Sequence, residues 1–330
     1  MNYIKILDHQ VQYAPIFDGY FYSSFHSQDK PSEFWTNEDI LIDTIKKAAD
    51  FFNPDIVMLE ETAPKNMVMM GCKIDLSYGF VPLFVSNAIN KKADIEKIKP
   101  FSKKGGTSER IIPELTSHFK GHRLTTCAVK SPFETAFVMR GGSEFMMDLK
   151  KDPGFITELI DVIWDAIKPI IKQLSEFGVD IITIKDSVAS SSLISPKLYE
   201  KFAFKLEQKM VEEIKSNNMI ALLHICKKSS PIFNLMINTG ADILECDSLN
   251  DFNKIIGLLE EDQYLKGNMD SVSEIEENFE FFYKTRLSDL CKLSEDSGKL
   301  IISTGDSITP NTCHDNLLKL EKFVRNFNNE

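Results

Sequence analysis

The run Leu222-Leu223-His224-Ile225-Cys226 sets an imidazole and a thiol two residues apart in apolar sequence. On a strand, residues i and i+2 point to the same side, so His224 and Cys226 share one space at the strand's C-terminal end. Nitrogen and sulfur donors of this kind suit Zn²⁺, which prefers tetrahedral sites. A bound zinc lowers the pKa of a coordinated thiol or water and acts as a Lewis acid. Two donors do not complete such a site. The candidates for a third are Asp306, after the run Ile301-Ile302-Ser303-Thr304-Gly305, then Cys313, then Glu61, which stands beside Glu60 and upstream of Cys72. The plainer alternative is a buried histidine and a small apolar cysteine, each satisfied locally.

The elements that must position these residues read as alternating strands and helices. Short apolar runs occur at Ile56–Leu59, Leu124–Val129, Ile181–Ile184, Met219–Leu223, Ile243–Leu244, Tyr264–Leu265 and Leu300–Ile302. Most are continuous apolar segments, as in parallel strands buried on both faces. Amphipathic stretches lie between them, among them Phe155–Glu176, Pro196–Lys215 and Ser230–Thr239, with Gly178 and Gly240 placed as C-terminal caps. This alternation predicts an α/β fold, a (β/α)8 TIM barrel with its active site at the C-terminal strand ends. The residues following the runs are Glu60 and Glu61, Lys130 and Ser131, Lys185 and Asp186, His224 and Cys226, Glu245 and Asp247, Asn268 and Asp270, and Asp306. Asp186 and Asp270 are candidates to position substrate or serve as acid or base, and Glu61 to act with them or close the metal shell. Each carboxylate also has a bland alternative, bonding loop amides at a strand end. Tyr78, Phe80 and Phe133 can line an aromatic pocket or simply pack.

The chain has 330 residues, 43% of them hydrophobic, and no low-complexity linker divides it, so residues 1–330 read as one domain. The lysine-rich stretch Lys91–Lys104 reads as a solvated connection. A net charge of −11 argues against nucleic acid as the main partner. The six cysteines form no Cys-x-x-Cys pair, which fits reduced thiols in a cytosol. No export signal and no membrane-spanning apolar run is read, so the expected location is cytoplasmic.

Several segments resemble, in order, motifs of the uroporphyrinogen decarboxylase superfamily, and in particular methylcobamide:coenzyme M methyltransferases. Ser131-Pro132-Phe133-Glu134-Thr135-Ala136 is similar to a "GPFTLA" turn, with Gly142 and Glu144 following. Asp186-Ser187-Val188-Ala189-Ser190 is similar to "DP-x-AS", and Ile194-Ser195-Pro196 with Phe202 to "ISP…F". His224-Ile225-Cys226 through Thr239-Gly240-Ala241-Asp242, then Lys266-Gly267-Asn268-Met269-Asp270, then Ser303-Thr304-Gly305 with Pro310, Thr312 and Asn316 complete the series. The resemblance spans roughly residues 40–325. It implies a (β/α)8 barrel and a zinc held by the His-x-Cys pair and a later cysteine. In those enzymes the zinc activates a thiol to take a methyl group from a methylated corrinoid protein.

Residue by residue, His224 and Cys226 match the first two ligands, while Asp306 stands where the family has its third, a cysteine. A carboxylate also ligates zinc, and it makes a harder, less thiophilic centre, which leaves room for the opposite half-reaction, from a methoxylated or methylated compound to the corrinoid protein. A barrel that has lost its metal and only binds a ligand or the corrinoid partner is the non-catalytic alternative. The corrinoid is expected on a transient partner protein, since no Asp-x-His-x-x-Gly stretch occurs here. Uroporphyrinogen decarboxylation itself is not expected: residues 1–29 contain no arginine to grip a polycarboxylate, where those enzymes carry an arginine-rich segment.

Overall fold

The computed structural model describes residues 12–59, 68, 70–75, 79–99 and 109–327. Seven parallel strands lie side by side in chain order: β1 (Ile56–Leu59), β4 (Leu124–Lys130), β5 (Ile181–Lys185), β6 (Ile220–His224), β7 (Ile243–Glu245), β8 (Tyr264–Met269) and β9 (Leu300–Thr304). An antiparallel hairpin, β2 (Lys73–Asp75) with β3 (Leu83–Ser86), is inserted between β1 and β4. All seven expected apolar runs are strands. The run at Tyr264–Leu265 continues to Met269, because Lys266 and Asn268 are buried polar residues of the same strand.

The sheet closes through a segment the apolar pattern does not reveal. Tyr13 bridges Ile302 in parallel. Ala14 N donates to Ile302 O at 2.9 Å, and Ile302 N to Gln12 O at 3.0 Å. On the other side Asp55 N donates to Tyr13 O at 2.9 Å, just before β1. Gln12–Ile16 therefore acts as the eighth stave between β9 and β1. The Asp55 carboxylate pins this seam: it accepts from Gln12 N at 2.8 Å and Tyr13 N at 2.9 Å, and from both terminal nitrogens of Arg325 at 3.0 and 2.7 Å. Asp55→Ala is expected to lower unfolding stability by about 2 kcal/mol, since it strips a charged acceptor from several donors at once. Urea denaturation would measure this, and a loss below about 0.5 kcal/mol would show that the seam holds without it.

Side-chain alternation sorts the strands into an inner and an outer face. Ala14, Ile56, Leu124, Ile181, Ile220, Leu222, Ile243 and Ile301 form an apolar plug inside the barrel. Their chain neighbours, such as Val57, Cys127, Ile182, Leu223, Leu244 and Ile302, pack outward into the larger helix-covered core. Above the plug, the inner face turns polar with Thr126, Thr183, Glu245 and Lys266 around a cavity of only about 10 Å³. The lumen is thus filled, as in barrels of this kind, and chemistry is confined to the mouth.

The helices follow from the same sequence logic. Pro153–Glu176 begins with Asp152 accepting from Phe155 N at 3.2 Å, and it buries Phe155, Ile156, Leu159, Ile160 and Ile163. It gives way to Gly178 at φ +82°, a left-handed position that suits glycine. The stretch expected as one helix over Pro196–Lys215 has a widened turn, Glu200–Phe204, between Pro196–Tyr199 and Lys205–Ser216. Among the described residues no helix is long and apolar enough to cross a membrane.

Candidate functional site at the barrel mouth

β6 ends in His224, and both His224 and Cys226 are buried. Leu222 lines the lumen, so by alternation His224 faces it too, while Leu223 and Ile225 pack outward. Burial alone would lower the His224 pKa. Its interactions with the Cys226 thiol and the Glu245 carboxylate overcome this and hold it at about 10. The two side chains singled out in the sequence therefore meet.

Below them runs a buried chain of polar groups. Glu245 Oε2 lies 2.8 Å from His224 Nδ1, and Glu245 Oε1 accepts from the Lys266 ammonium. Lys266 also donates to Ser303 Oγ at 2.9 Å, and Ser303 Oγ donates to Ala14 O at 2.7 Å. Burial would raise the Glu245 pKa, but Lys266 and His224 hold it at about 2. Burial also drives the Lys266 pKa down, against the pull of Glu245. Glu245 stays ionised and fixes the Nδ1 side of the His224 ring, which turns Nε2 toward the Cys226 side. This is the outer-shell arrangement that orients metal-binding histidines. Sequence reading placed Glu245 at a strand end but missed its pairing with Lys266. The signal was a lysine inside a strand pattern, which has to find a buried counterion.

The segment after Cys226 is clamped from β7's far end. Lys227 adopts φ +63°, unusual for a residue with a side chain. Its amide donates to Asp247 Oδ2 at 2.6 Å, and Asn250 Nδ2 donates to its carbonyl at 2.9 Å. Asn250 Oδ1 accepts from Ser229 N at 3.0 Å and Ser230 N at 2.9 Å. Cys246, between Glu245 and Asp247 on alternating positions, points outward, and Ser229 Oγ donates to its sulfur at 3.3 Å.

The other candidates are spread around this centre. Asp306 is 48% exposed in its side chain; its Oδ1 accepts from Ser307 N at 2.8 Å and its Oδ2 lies 3.9 Å from Lys227 Nζ. It stands on the rim beside the residue that follows Cys226, not against the pair. The preceding Gly305 passes so close to Asp247 that a Cβ there would meet its Cα at 2.2 Å. Cys313 is exposed in the turn before the helix His314–Phe327, with its carbonyl accepting from Asn316 N at 3.0 Å. Its neighbour His314 packs among Phe21, Phe25 and Phe52. Glu60, Glu61 and Tyr78 lie outside the described residues. Among the described residues, no group of three His, Cys, Asp or Glu side chains is gathered closely enough to hold a metal.

Asp270 caps the turn that follows β8. Its Oδ1 accepts from Val272 N at 3.1 Å and Ser273 N at 2.8 Å, and its Oδ2 from Ser248 Oγ at 2.8 Å. Burial would raise its pKa, but these donors lower it overall. Asp186 is fully buried, with its amide donating to His224 O at 3.0 Å. Thr183 and Lys185 take the inner face of β5, so Asp186 turns outward into the helix layer. Its carboxyl lies beside Ser131 and Glu207 without a well-formed hydrogen bond to either, and Glu207 Oε1 is likewise unsatisfied. Burial, then the charges of Glu207 and Glu134, push the Asp186 pKa well up. Burial raises Glu207 to about 7 even though the Tyr199 hydroxyl donates to it. Phe133 is core, stacked edge-on against Phe145, and Phe80 lies over Tyr20.

Comparison with known proteins agrees with this architecture. The family model described as uroporphyrinogen decarboxylase (URO-D) matches residues 22–327. The methylcobamide:CoM methyltransferase MtbA of Methanosarcina mazei is 26% identical over 253 residues, covering 74% of this chain and 72% of that protein. The uroporphyrinogen decarboxylase of Trichormus variabilis is 24% identical, covering 81% and 77%. Among solved structures, a methyltransferase from Methanosarcina mazei superposes with a TM-score of 0.80 at 18% identity, over 96% of this chain and 94% of that one. The barrel with its inserted hairpin, the strand-end His-x-Cys pair and the match over residues 22–327 make this chain a member of the uroporphyrinogen decarboxylase family.

Proposed function

We propose that this chain, as one domain over residues 1–330, is a cytoplasmic zinc-dependent methyltransferase that moves a methyl group between a corrinoid protein and a small acceptor such as a thiol. The observation that carries the proposal is the burial of His224 and Cys226 together at the end of β6, with His224 backed by Glu245 at 2.8 Å. An imidazole and a thiol buried together, with the ring fixed from behind, fit the first two donor positions of a zinc site. Asp306 is the favoured third donor, as the residue standing where the family has its third ligand; Cys313 or Glu61 is the alternative. Zinc held there would supply a Lewis-acid centre that lowers the pKa of a thiol. The protein's own part is to keep His224 in one orientation and to deliver the acceptor's sulfur to the mouth. The new bond is sulfur to methyl carbon. The cobalt–carbon bond breaks with its electron pair left on cobalt, and the thiol proton passes to solvent.

Two relatives support the methyltransferase over the decarboxylase: MtbA, and a methylated-thiol–coenzyme M methyltransferase of Methanosarcina mazei at 25% identity over 55% of this chain. Exposed Leu193, Leu249 and Val272 follow β5, β7 and β8, so they stand at the mouth, where a transient corrinoid protein would dock. The carboxylate at position 306 favours a second reading, in which an oxygen-linked methyl donor charges the corrinoid protein.

Methyl transfer from free methylcobalamin to a thiol, followed by loss of the methyl–cobalt absorbance, tests the proposal. Turnover is expected in the zinc-supplemented protein, and a fall of more than about 100-fold in His224→Ala and Cys226→Ser, beyond the roughly 10–100-fold cost of losing an outer-shell partner. Wild-type rates in both variants would remove the pair from the reaction.

A further inference from the structure

At the opposite end of the barrel from His224, a cleft of about 420 Å³ opens between the helix Ile111–Phe119, the turn that leads into β4 and the turn that leads into β5. Both strands start here, so the cleft lies at the N-terminal face of the barrel, away from the mouth. Thr116 Oγ1 joins its two walls by donating to Phe177 O at 2.7 Å. Its apolar lining is Pro113, Leu124 and the half-buried ring of Phe177. Space of this size suits a small organic molecule rather than a bare ion.

The polar groups around it are mostly donors. The run Ser117–Arg123 carries Lys120, Arg123 and two histidines with no acid, in a chain of net charge −11. Lys120 lines the cleft, is exposed, and is in no ion pair among the described residues. Arg123 is held at 17% exposure by Asp50 and Asn53, each at 3.3 Å, which occupy two of its five N–H donors. Gly121, at φ +83°, has open space beside its Cα, and its N–H has no acceptor among the described residues. The acceptors are committed. Asp180 is the one acid among the described lining residues, and its Oδ2 accepts from Thr125 N and Thr125 Oγ1 at 3.0 Å each. Two helices end at the cleft, but their closing carbonyls are taken by turn amides. Phe119 O accepts from His122 N at 3.0 Å and Arg123 N at 3.1 Å, and Gln173 O and Ser175 O accept from Phe177 N and Gly178 N, each at 3.0 Å. Those negative helix ends help to hold Lys120 and Arg123 in place.

We infer that this cleft is a second binding site, for a phosphate monoester with a flat apolar body. The phosphate lies on Lys120, the remaining Arg123 donors and the Gly121 N–H, and the body lies against Phe177 and Leu124. A guanidinium, an ammonium and a backbone amide supply enough donors for the three terminal oxygens of a phosphate, which a carboxylate would leave partly unused. The site stands apart from the His224–Cys226 pair, and the inference does not rest on the methyl-transfer reading.

The test is calorimetric titration of the full chain with 1-naphthyl phosphate, and with its two parts, 1-naphthol and inorganic phosphate. Wild type is expected to bind the ester with Kd below about 1 mM, and each part at least about 10-fold more weakly, the range of one lost charge-assisted contact. Lys120→Met should weaken ester binding by about 10-fold or more, and Lys120→Arg should retain it. Lys120 is exposed and unpaired, so the urea midpoint of Lys120→Met should match wild type. Ser117→Glu, which sets a negative charge on the cleft wall, should weaken the ester as much while leaving 1-naphthol unchanged. No binding of the ester, equal binding of the ester and either part, or ester affinity unchanged in both Lys120→Met and Ser117→Glu would overturn the inference.

Discussion

Glu245→Ala is expected to destabilise the protein by roughly 3–5 kcal/mol, the usual cost of breaking a buried ion pair from one side. The removed carboxylate stands between Lys266 and His224, and all three are buried. Without it, two cationic groups face each other in a packed lumen that has almost no room for water. Glu245→Gln should lose less, because the amide oxygen still accepts a hydrogen bond. Glu245→Ala combined with Lys266→Met should recover much of the stability, since apolar replacement of a whole buried pair is often neutral. The double variant should stay impaired in methyl transfer, roughly 10–100-fold, because His224 has lost the partner that orients it. Urea unfolding and the methylcobalamin assay read the two effects separately. An Ala variant within about 1 kcal/mol of wild type would mean that the polar chain does not hold the lumen together.

Glu207→Gln should flatten the protein's pH dependence of stability near neutrality. Burial lifts Glu207 from 4.5 to about 7 in the folded state, with Asp186 also raised beside it. A carboxyl raised in this way contributes stability that is complete below pH 4.5 and is lost as pH climbs through about 7. Wild type should therefore unfold more easily at pH 8 than at pH 5.5. His224, raised to about 10 from 6.5, adds a loss of the same sign at higher pH. The informative quantity is therefore the difference between variant and wild type, which reports Glu207 together with Asp186, whose pKa its charge raises. That difference should favour Glu207→Gln by about 3 kcal/mol at pH 8 and shrink toward zero near pH 4.5. The glutamine keeps an acceptor for the Tyr199 hydroxyl, so the change reports charge rather than a lost bond. A difference that is flat from pH 5 to 8, or of opposite sign, would mean that Glu207 titrates as an ordinary carboxylate.

The strands were readable because most are largely apolar runs buried on both sides, and the His-x-Cys pair because a two-residue spacing on a strand has only one geometric outcome. The eighth stave was not readable. Gln12–Ile16 mixes polar and apolar residues and contains Pro15, and its place is set by Asp55 and Ile302, far away in the chain. Asp186 looked like a mouth residue because it follows a strand. Counting alternation from Thr183 sends it the other way, toward Glu207, a partner on a helix that sequence cannot place. Asp270 behaves as the bland alternative foresaw, bonding loop amides at the start of a helical turn. Asp306 and Cys313 are separated by how the chain leaves β9: the close pass of Gly305 by Asp247 leaves Asp306 on the rim beside Lys227, while Cys313 is carried to the base of the last helix.

The central claim, that His224 and Cys226 anchor a zinc completed by Asp306, is tested most directly by elemental analysis of purified wild type beside His224→Ala and Asp306→Ala. About one zinc per chain is expected in wild type, with its loss in both variants. Zinc lost in His224→Ala but retained in Asp306→Ala would move the third donor to Cys313 or Glu61. Wild-type protein that takes up no zinc when supplied with it would contradict the account.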